Sequence, residues 1–200
     1  KGGTGKTTVA VNLAVALALS GITTYLVDAD GNAGALQYHM RLERVNTTMI
    51  GLLRREIAKA GKSAMSDIAS GAAYLNAFTP LDDLPTLRVL PGLITDDLGD
   101  EVLQQEGKVA EVIQGLYEAG VAAGGVVIMD VGINPAHVVH RAALKAAEGI
   151  AIVIKPEIPD LAETRRWIAR MINSLASVVG KNSAHEFVGS RVKLCYNQVV

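Results

Sequence analysis

Apolar residues follow two alternating rhythms along this chain: long stretches at helical spacing, and short β-branched or aliphatic runs that end in carboxylates or turn residues. Thr7 to Ser20 is apolar almost all round, which predicts an internal helix terminated by Gly21. The run from Ile22 to Val27 predicts a strand, and the stretch ITTYLVDAD closes on two aspartates. GNAGA, residues 31–35, reads as a loop. Asn46 to Ala60 predicts a helix capped by Asn46 or Thr47, with Ile50, Leu53 and Ile57 on one face. Residues 61–85 are rich in Ala, Ser and Gly and carry no clear period. Leu87–Gly92 predicts a short strand stopped by Pro91.

Farther on, Val109, Val112, Ile113 and Leu116 fall at helical spacing within Val102 to Ala119. GGVVIMDVG is a continuous apolar run closed by Asp130 and predicts a fully buried strand. Pro135 to Ala147 predicts a helix, IAIVIK a strand, Asp160 to Val179 a longer helix and RVKLCYN a final strand. Strands alternating with helices imply βαβ crossovers and a mostly parallel sheet. The expectation is an α/β fold with helices on both faces of that sheet, and a single domain, since there is no repeat and no low-complexity linker.

Composition sharpens this picture. Of the 200 residues half are hydrophobic but only 4% aromatic, so the core must come from Ala, Val, Leu and Ile. A net charge of −1 gives no global pull towards nucleic acid or an anionic membrane. The single cysteine, Cys195, rules out an internal disulfide and a CxxC metal pair. It reads as a small core residue, and the usage suits a reducing, cytoplasmic setting. Lys1, Lys6 and the run from Val9 to Leu19 mimic a secretory leader, but the glycines and paired lysines have a tighter explanation below. VAVNLAVALAL is interrupted by Asn12 and is too short to span a bilayer. The chain opens without methionine and stops inside VKLCYNQVV, so it reads as a segment of a longer protein.

The opening KGGTGKTT carries the first chemical motif. Gly5-Lys6-Thr7 is the second half of a Walker A loop, G-x-x-x-x-G-K-[ST], whose first glycine would precede Lys1. Small residues from Gly2, Gly3, Thr4 and Gly5 through Thr8 let backbone amides curl round phosphates at a helix N-terminus. Lys6 would reach the β- and γ-phosphates, and the Thr7 hydroxyl would take a Mg²⁺ position. VVIMD reads as a Walker B strand, with Asp130 at the carboxyl edge where ligands of open α/β sheets bind, holding Mg²⁺ through water. His137 and His140 lie three apart on a helix but lack a carboxylate or cysteine partner for a metal site. Arg165, Arg166 and Arg170 form either a solvated face, with Asp160 and Glu163 nearby, or a surface for non-specific DNA; Trp167 reads as packing.

A second lysine five residues before the first is what an ordinary P-loop does not need. With it, the chain resembles the ParA/MinD family of deviant Walker A ATPases throughout its length. The resemblance implies that Lys1 reaches across a nucleotide-sandwich dimer to the partner's phosphates. It implies that Asp30 orients the attacking water while Asp28 supports Mg²⁺ from the outer shell, although Gly31-Asn32 stands where relatives continue with Pro-Gln. Gly132 resembles the glycine whose N–H senses the γ-phosphate, Asn197 the residue that reads the adenine edge, and Pro156-Glu157 a pair common after the preceding strand. ATP and Mg²⁺ are the implied cofactors.

The implied partners are an ATP-dependent second copy, a stimulating protein and non-specific DNA, with a membrane-binding helix, if there is one, beyond Val200. The implied output is slow hydrolysis that positions a cargo such as a plasmid or chromosomal locus. Two other outputs fit the same superfamily: a nucleotide-gated regulator of secretion or polysaccharide assembly, and an amidoligase-type enzyme that phosphorylates a carboxylate. Relatives of the latter lack the Lys1 signature, and a metal-cluster carrier would need bridging cysteines. In this fold the strand before the P-loop is central to the sheet and is not in this chain, so the 200-residue piece alone is expected to be poorly stable.

Overall fold

A computed structural model describes residues 3–30, 35–60, 71–92, 102, 104–134 and 137–197. The elements run α1 (Lys6–Leu19), β1 (Thr24–Ala29), α2 (Ala35–His39), α3 (Met49–Ala60), α4 (Gly71–Leu75), β2 (Thr79–Leu81) and β3 (Leu84–Leu90). They continue with α5 (Glu106–Ala122), β4 (Val126–Val131), α6 (Val138–Ala146), β5 (Ile150–Ile154), α7 (Ile158–Val179), α8 (Lys181–Arg191) and β6 (Val192–Tyr196). Four strands form one sheet in the order β2-β3-β1-β4, and β5 and β6 pair in a second ladder. All contacts are parallel except that of β2, which lies antiparallel along β3 at the outer edge.

The alternation of side chains along β1 builds two cores. Tyr25, Val27 and Ala29 join Ile50 and Leu53 of α3, Val112, Ile113 and Leu116 of α5 and Val139 of α6. Leu26 points the other way, to Ala14 and Ala18 of α1, Leu36 of α2 and Leu87 and Val89 of β3. Helices therefore cover both faces, as the alternating pattern predicts. A third, smaller cluster seats Met171 of α7 and Ala184 and Val188 of α8 against Ile150 and Leu144.

Several expectations need correction. Strand β1 starts at Thr24 and runs two residues past Val27, because the parallel ladder with β4 extends to Ala29–Val131. The cap of α3 is Thr48, whose hydroxyl accepts the Gly51 amide at 3.1 Å, so the helix starts at Met49. Asn46 is diverted: its amide donates to the Phe78 carbonyl at 2.8 Å and its backbone N–H to Thr79 Oγ1 at 2.9 Å. The helix that follows the Gly-rich opening is less internal than its sequence reads; in α1 only Ala14 and Ala18 are buried and Leu19 is 72% exposed. Strand β4 is likewise not fully buried: Val126 is exposed and only Asp130 is deeply covered.

The last two corrections share one cause. An apolar groove of about 1060 Å³ runs between β4 and β5, with Val9, Ala10 and Leu13 of α1 along its side. No strand among the described residues lies between those two edges. A helix and a strand whose sequences suit burial on all sides thus keep one side open. The loop expected at residues 31–35 falls outside the described residues up to Gly34, as do Pro135 and Ala136 at the expected start of α6.

Candidate functional site

The Gly-rich opening turns directly into α1. Gly3 and Gly5 sit at φ 76° and 87°, where any side chain is strained. Gly5 is the N-cap of α1, no side chain caps the helix, and no acidic residue lies in its first turn. The first helix amides and the positive end of the dipole are thus left for an anion. Thr4 is buried, and its carbonyl accepts the Asn197 side-chain amide at 3.0 Å. A Cβ on Gly5 would overlap that same amide, so the loop and the end of β6 are fitted to each other. Lys1 and Gly2 lie outside the described residues.

Two aspartates face this loop from the sheet. Asp28 and Asp130 are directly opposite in the β1–β4 register and are 1% and 4% exposed. Burial pushes the Asp28 carboxyl up to about 6, against the help of two backbone amides and with further push from Asp130. Those amides are Asp30 N–H at 3.2 Å and Leu36 N–H at 3.3 Å, so both Asp28 oxygens hold the chain that leaves β1. Gly92 allows this: a Cβ there would sit 2.8 Å from the Asp28 carboxyl carbon.

Burial also raises Asp130, while the Thr7 hydroxyl hydrogen-bonds it and the Lys6 charge favours its ionised form. Asp130 Oδ2 has no hydrogen-bond partner among the described atoms. A buried, unpartnered carboxylate oxygen beside a threonine hydroxyl and a lysine is a donor set that suits a hard divalent cation next to phosphate. Lys6, Thr7, Asp28 and Asp130 are therefore brought together, and Thr8 is exposed on α1.

The family model described as the CobQ/CobB/MinD/ParA nucleotide binding domain matches residues 1–175. The chain belongs to this family. An uncharacterised ATP-binding protein of Methanocaldococcus jannaschii is 28% identical over 173 residues, covering 84% of this chain. The chain spans about half of that relative's length, 55%. Among solved structures, MinD from Pyrococcus horikoshii with Mg-ADP aligns at a TM-score of 0.60 and 22% identity, over 100% of this chain and 67% of that one. The Aquifex aeolicus MinC:MinD complex aligns at 0.63 and 21%, over 100% and 66%, and the McdA–ATP complex of Cyanothece at 0.62 and 18%, over 97% and 78%. These likenesses carry the P-loop α/β fold of the MinD/ParA family, as the sequence resemblance implied.

Within this family member, Asp30 lies just past β1 with its side chain 31% exposed. Its carbonyl faces His140 Nε2 at 3.0 Å, and the Asn134 carbonyl faces His140 Nδ1 at 2.7 Å. His140 thus offers neither nitrogen to a metal, and His137, its ring 4.5 Å away, is lowered from the usual imidazole range by burial and then by His140. Trp167 donates its indole N–H to the Ile133 carbonyl at 2.6 Å, so this residue tethers the segment after β4 besides packing. Sequence reasoning missed both tethers; a polar ring atom in contact with the protein needs a partner, and for His140, fully buried, that need is strict.

The arginine face is largely self-paired. Arg166 and Arg170 reach Glu163 at 3.3 and 2.9 Å, the same carboxylate taking both. Cys195 is half-buried on β6 rather than in the core, because β6 packs closely on one side only. No helix among the described residues is long and apolar enough to cross a membrane.

Proposed function

We propose that the chain binds ATP on the amides of Gly2 to Thr8 and hydrolyses it slowly, in a dimer that ATP itself assembles. The observation that carries this reading is the uncapped N-terminus of α1 facing Asp130, whose Oδ2 is unpartnered and whose carboxylate meets Thr7. Lys6 holds the β- and γ-phosphates by charge. Thr7 and Asp130 would hold Mg²⁺ and Asp28 would support it from the outer shell, its own oxygens being engaged by Asp30 and Leu36. Bound there, the ion supplies charge neutralisation on the phosphates.

Asp30 accepts a hydrogen bond from the attacking water and aligns its oxygen with the γ-phosphorus. The water oxygen bonds to that phosphorus as the bond from the phosphorus to the bridging oxygen breaks; ADP leaves with the broken bond's electron pair, and a proton of the water passes to the phosphate. Lys1 of a second copy offsets the charge that builds on the phosphoryl oxygens, as an arginine finger does elsewhere. Asn197 keeps Oδ1 as an acceptor for the adenine amino group while Nδ2 holds Thr4. Solved structures of similar fold include a MinC:MinD cell division complex and a plasmid partition protein, and a positioning role fits them; stimulation by a partner protein and a cytoplasmic site of action are part of the same proposal.

The test is ATP-dependent dimerisation and hydrolysis by the intact protein, comparing wild type with Lys1→Ala and Asp30→Ala. Loss of turnover in Lys1→Ala, with an ATP-bound dimer trapped in Asp30→Ala, is expected. Unchanged hydrolysis in both overturns the reading.

A further inference from the structure

Asp30 is held from two sides. Its N–H donates to Asp28 Oδ1 at 3.2 Å, and its carbonyl lies 3.0 Å from His140 Nε2. His140 is completely buried near the start of α6, and its other nitrogen lies 2.7 Å from the Asn134 carbonyl. One ring therefore ties the segment leaving β1 to the segment leaving β4, two stretches about a hundred residues apart in sequence. The Asp30 carboxylate is also close, with Oδ1 3.8 Å from Nε2. The space is tight: a Cβ on Gly132 would overlap both Asp30 Oδ1 and His140 Cε1.

We infer that His140 is a positioning residue for hydrolysis, fixing the Asp30 main chain so that its carboxylate meets the water at the γ-phosphate. This rests on the proposed role of Asp30. At the end of a strand the main chain is free to shift, and a hydrogen bond to the Asp30 carbonyl fixes the point from which its part-exposed carboxylate projects. The bond needs hydrogen on Nε2, whatever state the ring takes at Nδ1. A water held about 1 Å out of line reacts far more slowly, while nucleotide binding should change little, since the partners of His140 among the described residues are Asp30, Asn134 and His137.

Two substitutions separate the two nitrogens. The amide nitrogen of His140→Gln lies near the place of Nε2 and can still donate to Asp30, whereas that of His140→Asn lies near Nδ1 and reaches only Asn134. Steady-state phosphate release by the intact protein, at varied ATP, reads the result. His140→Asn should lower kcat about 30-fold with KM for ATP within about twofold, and His140→Gln should keep kcat within about threefold. Equal rates in the two variants, whether both normal or both reduced by a damaged fold, overturn the inference, as does a shift in KM with kcat unchanged. Asp30→Ala runs alongside: if it hydrolyses normally the functional reading fails, and if it is inactive while His140→Asn matches wild type only the role of His140 fails.

Discussion

Every residue of β1 from Thr24 to Ala29 is buried, whereas none of Val192–Tyr196 in β6 is, and Tyr196 is 59% exposed. The contrast is between these two strands and not between all members of the ladders: in β4 only Asp130 is deeply covered, while β5 buries Ile150, Val153 and Ile154. The four-stranded sheet is clamped between α1 on one face and α3, α5 and α6 on the other. The two-stranded ladder leans on α7 and α8 and faces the groove along β5. The residues proposed to act on the nucleotide lie on or beside the first: Asp28, Asp30 and Asp130 at the ends of β1 and β4, and Lys6 and Thr7 at the start of α1. Buried carboxylates are costly, and only a well-packed frame holds them in place against their tendency to protonate or move. A two-stranded pair is marginal by itself, and its ties to the rest include Asn197 against Thr4, Trp167 against Ile133 and the packing of Leu144.

The largest test of this contrast is chemical. Lys6→Ala should weaken nucleotide binding about 1000-fold, as one charge-assisted phosphate contact in a dry site is lost, while thermal stability hardly changes. Calorimetric titration with ADP and Mg²⁺ would read it, and near-normal affinity would move the phosphate site elsewhere. Packing comes next. Leu26→Ala, at a fully buried position of β1, should cost about 3–4 kcal/mol of unfolding free energy, whereas Leu194→Ala, 45% exposed on β6, should cost under about 1 kcal/mol. Similar values from denaturant melts would show that the ladders are equally load-sharing.

How much of this was readable beforehand follows the same divide between local and tertiary control. Helix α1, strand β1, strand β4 and the facing aspartates were legible, since glycine spacing, β-branching and terminal carboxylates are local signals. The Thr48 cap was not: Asn46, Thr47 and Thr48 all have capping side chains, and the choice is made when Phe78 and Asn76 carbonyls capture the Asn46 amide. Strand β2 was hidden by Pro80, which a sheet accepts only because β2 is an edge. The openness of β4 goes with the groove beside it, where no described strand lies, and an apolar run alone does not report its neighbours. His140 and Trp167 were seen as residues, but their roles arise from carbonyls far away in sequence.

A smaller effect should appear with pH, again on the four-stranded side. Asp28 titrates near 6 in the fold against about 4 when unfolded. The unfolded chain therefore loses this proton first as pH rises, so the apo protein's stability from this group is full below about pH 4 and is lost as pH climbs through about 6. The loss is on the order of 2–3 kcal/mol, and Asp28→Asn should flatten that part of the curve. Urea melts from pH 4 to 7 would decide, and a slope that persists in Asp28→Asn would assign it to other groups, with Asp130 first among them.

The smallest expected change tests the link between the halves. Asn197→Ala removes the amide that reaches Thr4 but keeps the backbone bond from Asn197 N–H to the Ile154 carbonyl at 2.8 Å. One net hydrogen bond of this kind is worth about 1 kcal/mol, so global stability should fall by no more than that. Its distribution is the informative part. If the bond is the tie between a firm half and a loose one, hydrogen exchange should quicken in β5 and β6 and at the Thr4 loop, with β1 and β4 unchanged. Acceleration spread evenly over both ladders would mean that they open as one unit, and the division between a rigid charge-bearing sheet and an adjustable contact-bearing one would not hold.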